Sequence, residues 1–292
     1  MSTHSSTNHR HPTNRAVHRT ISGQPTSDGA GVRLTRYIGS PELNHLDPFL
    51  LLDFFESDNP DDYIAGFPSH PHRGFETVTY LLAGKVRHED NAGHGGVIET
   101  GGIQWMTAGR GIIHSEMPEQ EDGRLAGFQL WINLPAVDKM CRPTYHEYPV
   151  TEIPLETREN GATVRVITGN TSTQTRGPVI GVATDPMYLD VTLPAGCNLS
   201  EPLPNSHAAF IFVIDGGLRL IGESDNGSIA AKQLGVLQEG DHVDVKAGDA
   251  GARFLLVAAR PLNEPIARYG PFVMNTKTEI DQAINDFNGG RF

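Results

Sequence analysis

Past its first two dozen residues the chain is written in short apolar runs that end on glycine. Thr77 to Leu82 is β-branched or apolar throughout and stops at Ala83-Gly84, which predicts a strand followed by a turn. Ala208 to Ile214 runs into Asp215-Gly216-Gly217, and Leu218 to Ile221 resumes the apolar pattern, which predicts a hairpin. Both halves of the chain therefore share one strand-glycine-strand layout. Between them, residues 151–178 scatter Gly, Pro, Thr and Asn around a single short strand, Thr163 to Thr168, and a domain junction is expected there. The period changes only at the end. Thr276-Lys277-Thr278-Glu279 has the spacing of a capping box, and Ile280, Ala283, Ile284 and Phe287 follow at i, i+3, i+4 and i+7 before Gly289-Gly290. This predicts one amphipathic helix packed on a barrel.

Composition sharpens the class. A chain of 292 residues is longer than one core usually spans, and 32 Gly and 20 Pro suit many short strands joined by tight turns. The reading is all-β, in four segments: a disordered polar tail over 1–25, an N-terminal domain over 26–150, a C-terminal domain over 151–275, and a terminal helix and tail over 276–292. The tail holds His4, His9, His11 and His18 and has the acid-free composition of a transit peptide but lacks its apolar face, so its histidines are expected to be solvated. With 35 acidic against 23 basic residues the net charge is -12, which opposes direct contact with the nucleic-acid backbone. No apolar run approaches the ~20 residues of a membrane span, and no signal peptide is evident, so a cytoplasmic location is expected. Cys141 and Cys197 are too few for a disulfide framework and are expected to be reduced.

The chemistry is concentrated in two short stretches. In Ser69-His70-Pro71-His72-Arg73-Gly74-Phe75-Glu76, alternation along a strand sends His70 and His72 to one face. About forty residues later His114 and Glu116 repeat the i, i+2 spacing. Two such strands facing each other across a barrel would bring three neutral nitrogens and a carboxylate to one ion, with one or two coordination positions open. The competing reading is a solvated His-Pro-His turn, because Pro resists a central strand, with His114 an ordinary core residue. The recurrence of ligand types at strand spacing favours the metal. Glu76 continues the His70 face if the strand is regular; it could be a ligand, an outer partner of the ligands or an ion-pair partner of Arg73, and the outer role is expected. His88 and His94 lie in HEDNAGHGG, which reads as a hairpin loop rather than a second metal site.

These residues carry a family resemblance. HPHRGFETVTYLLAGKVRHED, GGIQWMTAGRGIIHSEMPE and RPLNEPIARYGPFVMNT resemble the pirin family of two-domain cupins over roughly residues 30–288. The resemblance implies a bicupin of two jelly-roll β-barrel domains, with one divalent metal in the N-terminal barrel held by His70, His72, His114 and Glu116. Gly109-Arg110-Gly111 stands where the broad cupin motif has Pro-x-Gly, in the pirin version. In the second barrel His207 and His242 lack the matching ligands, so that barrel is expected to hold no metal and its histidines to make local hydrogen bonds.

The resemblance also implies a function. One reading is a quercetin 2,3-dioxygenase, in which a flavonol and O2 meet at the metal, the heterocyclic ring opens and carbon monoxide leaves. Fe(II) is the expected ion, Glu116 the expected base as well as ligand, and Phe49, Phe54, Phe75, Trp105, Phe128 and Trp131 are available as walls of an apolar pocket, although ordinary core is the expected place of each. The other reading is a non-enzymatic, iron-binding, redox-responsive regulator that binds a transcription factor or a metabolic enzyme.

Overall fold

The computed structural model describes residues 13–222 and 227–292. The first domain is a jelly-roll sandwich of two antiparallel sheets. Its large sheet runs in the order Thr144–Tyr148, Ile103–Thr107, Phe75–Ala83, Leu125–Asn133, Phe49–Ser57, Val32–Ile38, Gln24–Asp28, and its small sheet in the order Phe67–His72, Ile112–Pro118, Lys85–Asp90, Gly95–Glu99. Leu34, Phe55, Leu81, Val86, Ile98 and Leu125 fill part of the space between the two, as alternation along half-buried strands requires.

The second domain is a nine-stranded sheet folded on itself by two long strands, Ala208–Leu220 and His242–Ala259. The hairpin expected at Asp215-Gly216-Gly217 is a bend inside the first of these, which pairs with His242–Ala259 on both sides of it. Gly216 sits at φ +76, and a Cβ there would come within 2.0 Å of the Gly251 carbonyl. The glycine therefore marks a bulge that lets both strands turn a corner together, not a reversal of the chain. Thr163–Thr168 is a strand as the pattern predicts.

The large sheets of the two domains pack against each other, which explains why so many apolar runs are continuous. Phe212 meets Tyr37 at 4.8 Å and Phe128 at 5.0 Å between ring centroids, and Phe210 meets Phe49 at 5.1 Å. Inside this contact the Tyr80 hydroxyl donates to Asp190 at 2.6 Å, and Arg253 donates to both oxygens of the same carboxylate. A strand such as Phe49–Ser57 is buried on both faces for this reason.

Both ends of the chain cross over. The polar tail expected over 1–25 is corrected from residue 13 onward: Val17–Ile21 pairs with Leu234–Leu237 in the second domain's sheet. Arg15, 2% exposed, donates to the carbonyls of Gly240, Gln238 and Pro204. Backbone pairing and one buried guanidinium hold this segment, with only Ile21 buried and Val17 packed on the core, so its hydrophobic signature is sparse. His18 is exposed, while His4, His9 and His11 lie outside the described residues. At the other end the helix Lys277–Asn288 begins with the capping box on Thr276 and Glu279 and buries Ile280 and Ala283 against the hairpin Ala267–Met274. That hairpin returns to the first domain. Lys139, 1% exposed, donates to the Val273 carbonyl at 3.0 Å, the Gly74 carbonyl at 2.8 Å and Asn133 Oδ1 at 2.6 Å.

Candidate metal centre

The ligand-bearing strands are hydrogen-bonded neighbours. Phe67–His72 pairs antiparallel with Ile112–Pro118, with Ile112 opposite His72 and His114 opposite His70, so the expectation of strands facing each other across a barrel is corrected. Directly opposed residues of an antiparallel pair hold their Cβ atoms about 5 Å apart, close enough for the imidazoles to meet. Phe67–His72 is an edge strand, which is why Pro68 and Pro71 are tolerated: the missing N–H groups face no further strand. A residue after the strand, Arg73 donates to Asp286 of the helix at 2.8 Å and to the Arg110 carbonyl at 2.5 Å. Gly74 at φ +88 then bends the chain out of this sheet into Phe75–Ala83 of the large one, and a Cβ there would come within 2.0 Å of the Val273 carbonyl.

His70, His72 and His114 present ring nitrogens that all lie within 4.8 Å of one another. His70 Nδ1 donates to the Pro68 carbonyl at 2.8 Å, which leaves its Nε2 bare, since a neutral imidazole carries one N–H. Nε2 of His70 and Nε2 of His72 are 3.0 Å apart, about the separation of two nitrogens held at ~2.1 Å and a right angle on one ion. Nε2 of His114 is buried without a partner, a costly arrangement unless something accepts its approach. Burial, followed by the neighbouring imidazoles, holds His72 and His114 well below the ordinary histidine range. All of this fits a metal ion bound by neutral imidazoles.

Glu116 stands apart from that cluster. Its carboxylate lines the same cavity but is not among the nitrogens' close group; the Thr79 hydroxyl donates to it at 2.7 Å and Gln129 Nε2 at 3.2 Å. The pairing with Phe67–His72 slips between His114 and Glu116, so the i, i+2 rule that places His70 with His72 is locally relaxed here. Above these residues lies a cavity of about 570 Å³, into which Trp131 and Arg268 also project. The Trp131 ring sits 5.1 Å from His72 and 4.3 Å from Phe75, with the Arg268 guanidinium 4.9 Å above it. Of the six aromatics available as walls, Trp131 lines the cavity, while Phe49, Phe54, Trp105 and Phe128 belong to the core between domains, the place expected of them.

Two more expectations are corrected. Glu76 lies beyond the Gly74 turn, and alternation from Phe75 and Thr79, which face the site, turns it to the opposite face. Its partner is the Thr107 hydroxyl, which donates at 2.8 Å, and Arg73 pairs elsewhere. Burial pushes the Glu76 carboxyl from 4.5 up to about 7. A carboxyl raised in this way adds stability that is present below about pH 4.5 and is lost as the pH rises through about 7, an effect on the order of 3 kcal/mol for a buried group. Glu76→Gln should therefore melt higher than the parent at pH 8 and close to it at pH 5, with unchanged metal content. Parallel melting curves at both values would refute the assignment.

His88 is the second correction. It lies not in a loop but in the strand Lys85–Asp90, 1% exposed, with Nδ1 3.3 Å from Nδ1 of His114 and its ring stacked at 4.2 Å on Tyr145. The hairpin itself is present, since Lys85–Asp90 pairs with Gly95–Glu99. A period-two reading from Val86 could have placed His88 on an inward face. Thr79 and Gln129, by contrast, carry no chemical signature. In the second domain His242 Nδ1 meets Asp241 at 3.1 Å, but His207 Nδ1 is buried without the local hydrogen bond expected of it. Cys141 and Cys197 are free thiols, and no helix of the described residues is long and apolar enough to cross a membrane.

Two jelly-roll domains in one chain, with three imidazoles gathered inside the first, define a bicupin with a metal-competent N-terminal domain. The chain belongs to the pirin family: the family described as Pirin matches residues 31–132, and the Pirin C-terminal cupin domain matches residues 188–292. A pirin-like protein of Caulobacter vibrioides is 52% identical over 278 residues, covering 95% of this chain and 99% of its own. The pirin of Homo sapiens is 43% identical over 284 residues, covering 95% and 93%. Among solved structures, a quercetin 2,3-dioxygenase from Acinetobacter baumannii superposes with a TM-score of 0.86 at 35% identity, covering 96% of this chain and 98% of that one.

Proposed function

We propose that this chain is a metal-dependent dioxygenase that opens the heterocyclic ring of a flavonol such as quercetin with O2 and releases carbon monoxide. His70, His72, His114 and Glu116 hold the ion, and Fe(II) is the ion assigned, because mixed imidazole and carboxylate ligands with open positions suit oxygen chemistry. The observation that carries the reading is the cavity of about 570 Å³ over the histidines, with the Glu116 carboxylate in its wall. Its size lies within the range of sites for drug-sized ligands, and the likeness to the Acinetobacter enzyme supports the same reading. When bound, the ion supplies Lewis acidity toward the flavonol 3-hydroxyl and a path for electron density toward dioxygen.

The residues of the chain do the rest. Trp131 offers a flat apolar wall beside His72 against which a planar ring system can lie. Glu116 accepts the 3-hydroxyl proton, and Thr79 and Gln129 fix its carboxylate in the cavity wall so that the acceptor is already in position. Arg268, in the cavity wall, keeps a cation over the Trp131 face. The test is anaerobic loading with Fe(II), followed by oxygen and quercetin. Loss of flavonol absorbance with one CO per flavonol is the expected result. Absence of turnover with Fe, Mn, Co, Ni, Cu or Zn would overturn the reading and turn attention to protein partners.

A further inference from the structure

Behind His114, on the side away from the cavity, lies a buried chain of polar groups that the proposed reaction does not use. The Asp90 side chain is fully buried. Its Oδ1 accepts from the backbone N–H of Ala92 at 2.9 Å and of His94 at 3.0 Å, while its Oδ2 lies 3.3 Å from His88 Nε2 and 3.0 Å from His94 Nδ1. Burial alone would raise this carboxyl, but the hydrogen bonds from His94 and His88 hold it below the usual range, so it is ionised and can only accept.

Proton counting then runs inward. A carboxylate facing His88 Nε2 requires the proton on that nitrogen, and a neutral imidazole carries only one. His88 Nδ1 is therefore bare, and it faces His114 Nδ1 at 3.3 Å, which must then be the N–H donor. That leaves His114 Nε2 bare, and this is the buried nitrogen without a partner. Tyr145, stacked on His88, fixes the plane in which the relay is read.

We propose that His88 and Asp90 are positioning residues that set the tautomer of His114 and aim its bare Nε2 at the metal. The inference rests on the metal site proposed above and adds to it the groups that prepare one ligand before any ion arrives. Outer partners of this kind are generally worth 10- to 100-fold in metal affinity.

The tautomer is read directly by ¹⁵N NMR of histidine-labelled, metal-free protein. The expected spectrum has His114 protonated at Nδ1 and bare at Nε2; a proton on Nε2 would overturn the inference. Affinity is read with Co(II), followed by its absorption bands. His88→Phe keeps a ring against Tyr145 but removes the acceptor, and should bind Co(II) ~10- to 100-fold more weakly. His88→Asn places an amide oxygen near the lost Nδ1 and should recover most of that affinity, a rescue that mere packing would not produce. Equal affinity of His88→Phe and the parent sinks this inference alone. A parent protein that takes up no Co(II) takes down the metal site itself, and the inference with it.

Discussion

Replacement of His72 or His114 by Ala is expected to weaken metal binding by far more than the ~100-fold that loss of an outer partner costs. The reason is geometric. The cluster offers three nitrogens within 4.8 Å of one another, and the two Nε2 atoms 3.0 Å apart on His70 and His72 suit adjacent positions on one ion. Removing His72 leaves a single imidazole on the edge strand, and removing His114 leaves none on its neighbour. Nothing nearby can replace either, because Glu116 is already counted among the four ligands proposed, and His88 points its Nδ1 at His114 rather than into the cavity. The measurement is metal per chain by elemental analysis after dialysis against a weak chelator, with far-UV circular dichroism to establish that each variant is folded. Below about a tenth of an equivalent is expected in both variants, the outcome of a ~100-fold loss under conditions that just saturate the parent. A full equivalent retained in both would dismantle the assignment.

For Glu116→Gln the expected loss falls on rate rather than on metal. Three imidazoles remain, and an amide oxygen is a weak but usable ligand, so much of the metal should stay. The packing can also adapt: Thr79 can donate to the amide oxygen as it does to the carboxylate, and a rotated Gln129 amide can accept from the new NH2. What disappears is the acceptor for the flavonol 3-hydroxyl proton. Turnover per bound metal should drop by on the order of 10² to 10⁴, the contribution of a positioned general base. Flavonol binding should change much less, because Trp131 and the apolar wall are untouched. The decisive comparison is kcat per bound Fe(II) for parent and variant, with CO as the product measured. Equal rates would remove Glu116 from the chemistry, while a variant without metal would show that Glu116 acts chiefly as a ligand.

The sequence by itself determined the all-β, two-domain layout, the terminal helix and the pairing of His70 with His72. These features depend on interactions a few residues apart. Strand alternation places i and i+2 on one face wherever the strand lies, and a capping box is closed within one helical turn, as Thr276 and Glu279 show. The family resemblance added the bicupin architecture, which the fold bears out.

Other features were decided only by tertiary structure. That the two ligand strands are neighbours rather than opposed depends on sheet order, which local pattern does not encode. Which of the six candidate aromatics would line the cavity, Trp131, and which would lie between the domains was settled by packing, because a strand buried on both faces shows no polar side to mark which face meets the cavity. Glu76 lies away from the site because the bend at Gly74, φ +88, breaks the regular alternation that would have put it on the His70 face. Residues 13–21 join the second domain chiefly through backbone hydrogen bonds and the Arg15 guanidinium, with Ile21 buried and Val17 packed on its core, too few apolar positions to mark a strand in the sequence. Thr79, Gln129, His88 and Asp90 reach the centre from strands far along the chain. Their positions come from the partners that packing gives them, since sheet order brings Thr79 and Gln129 to Glu116 and His88 to His114.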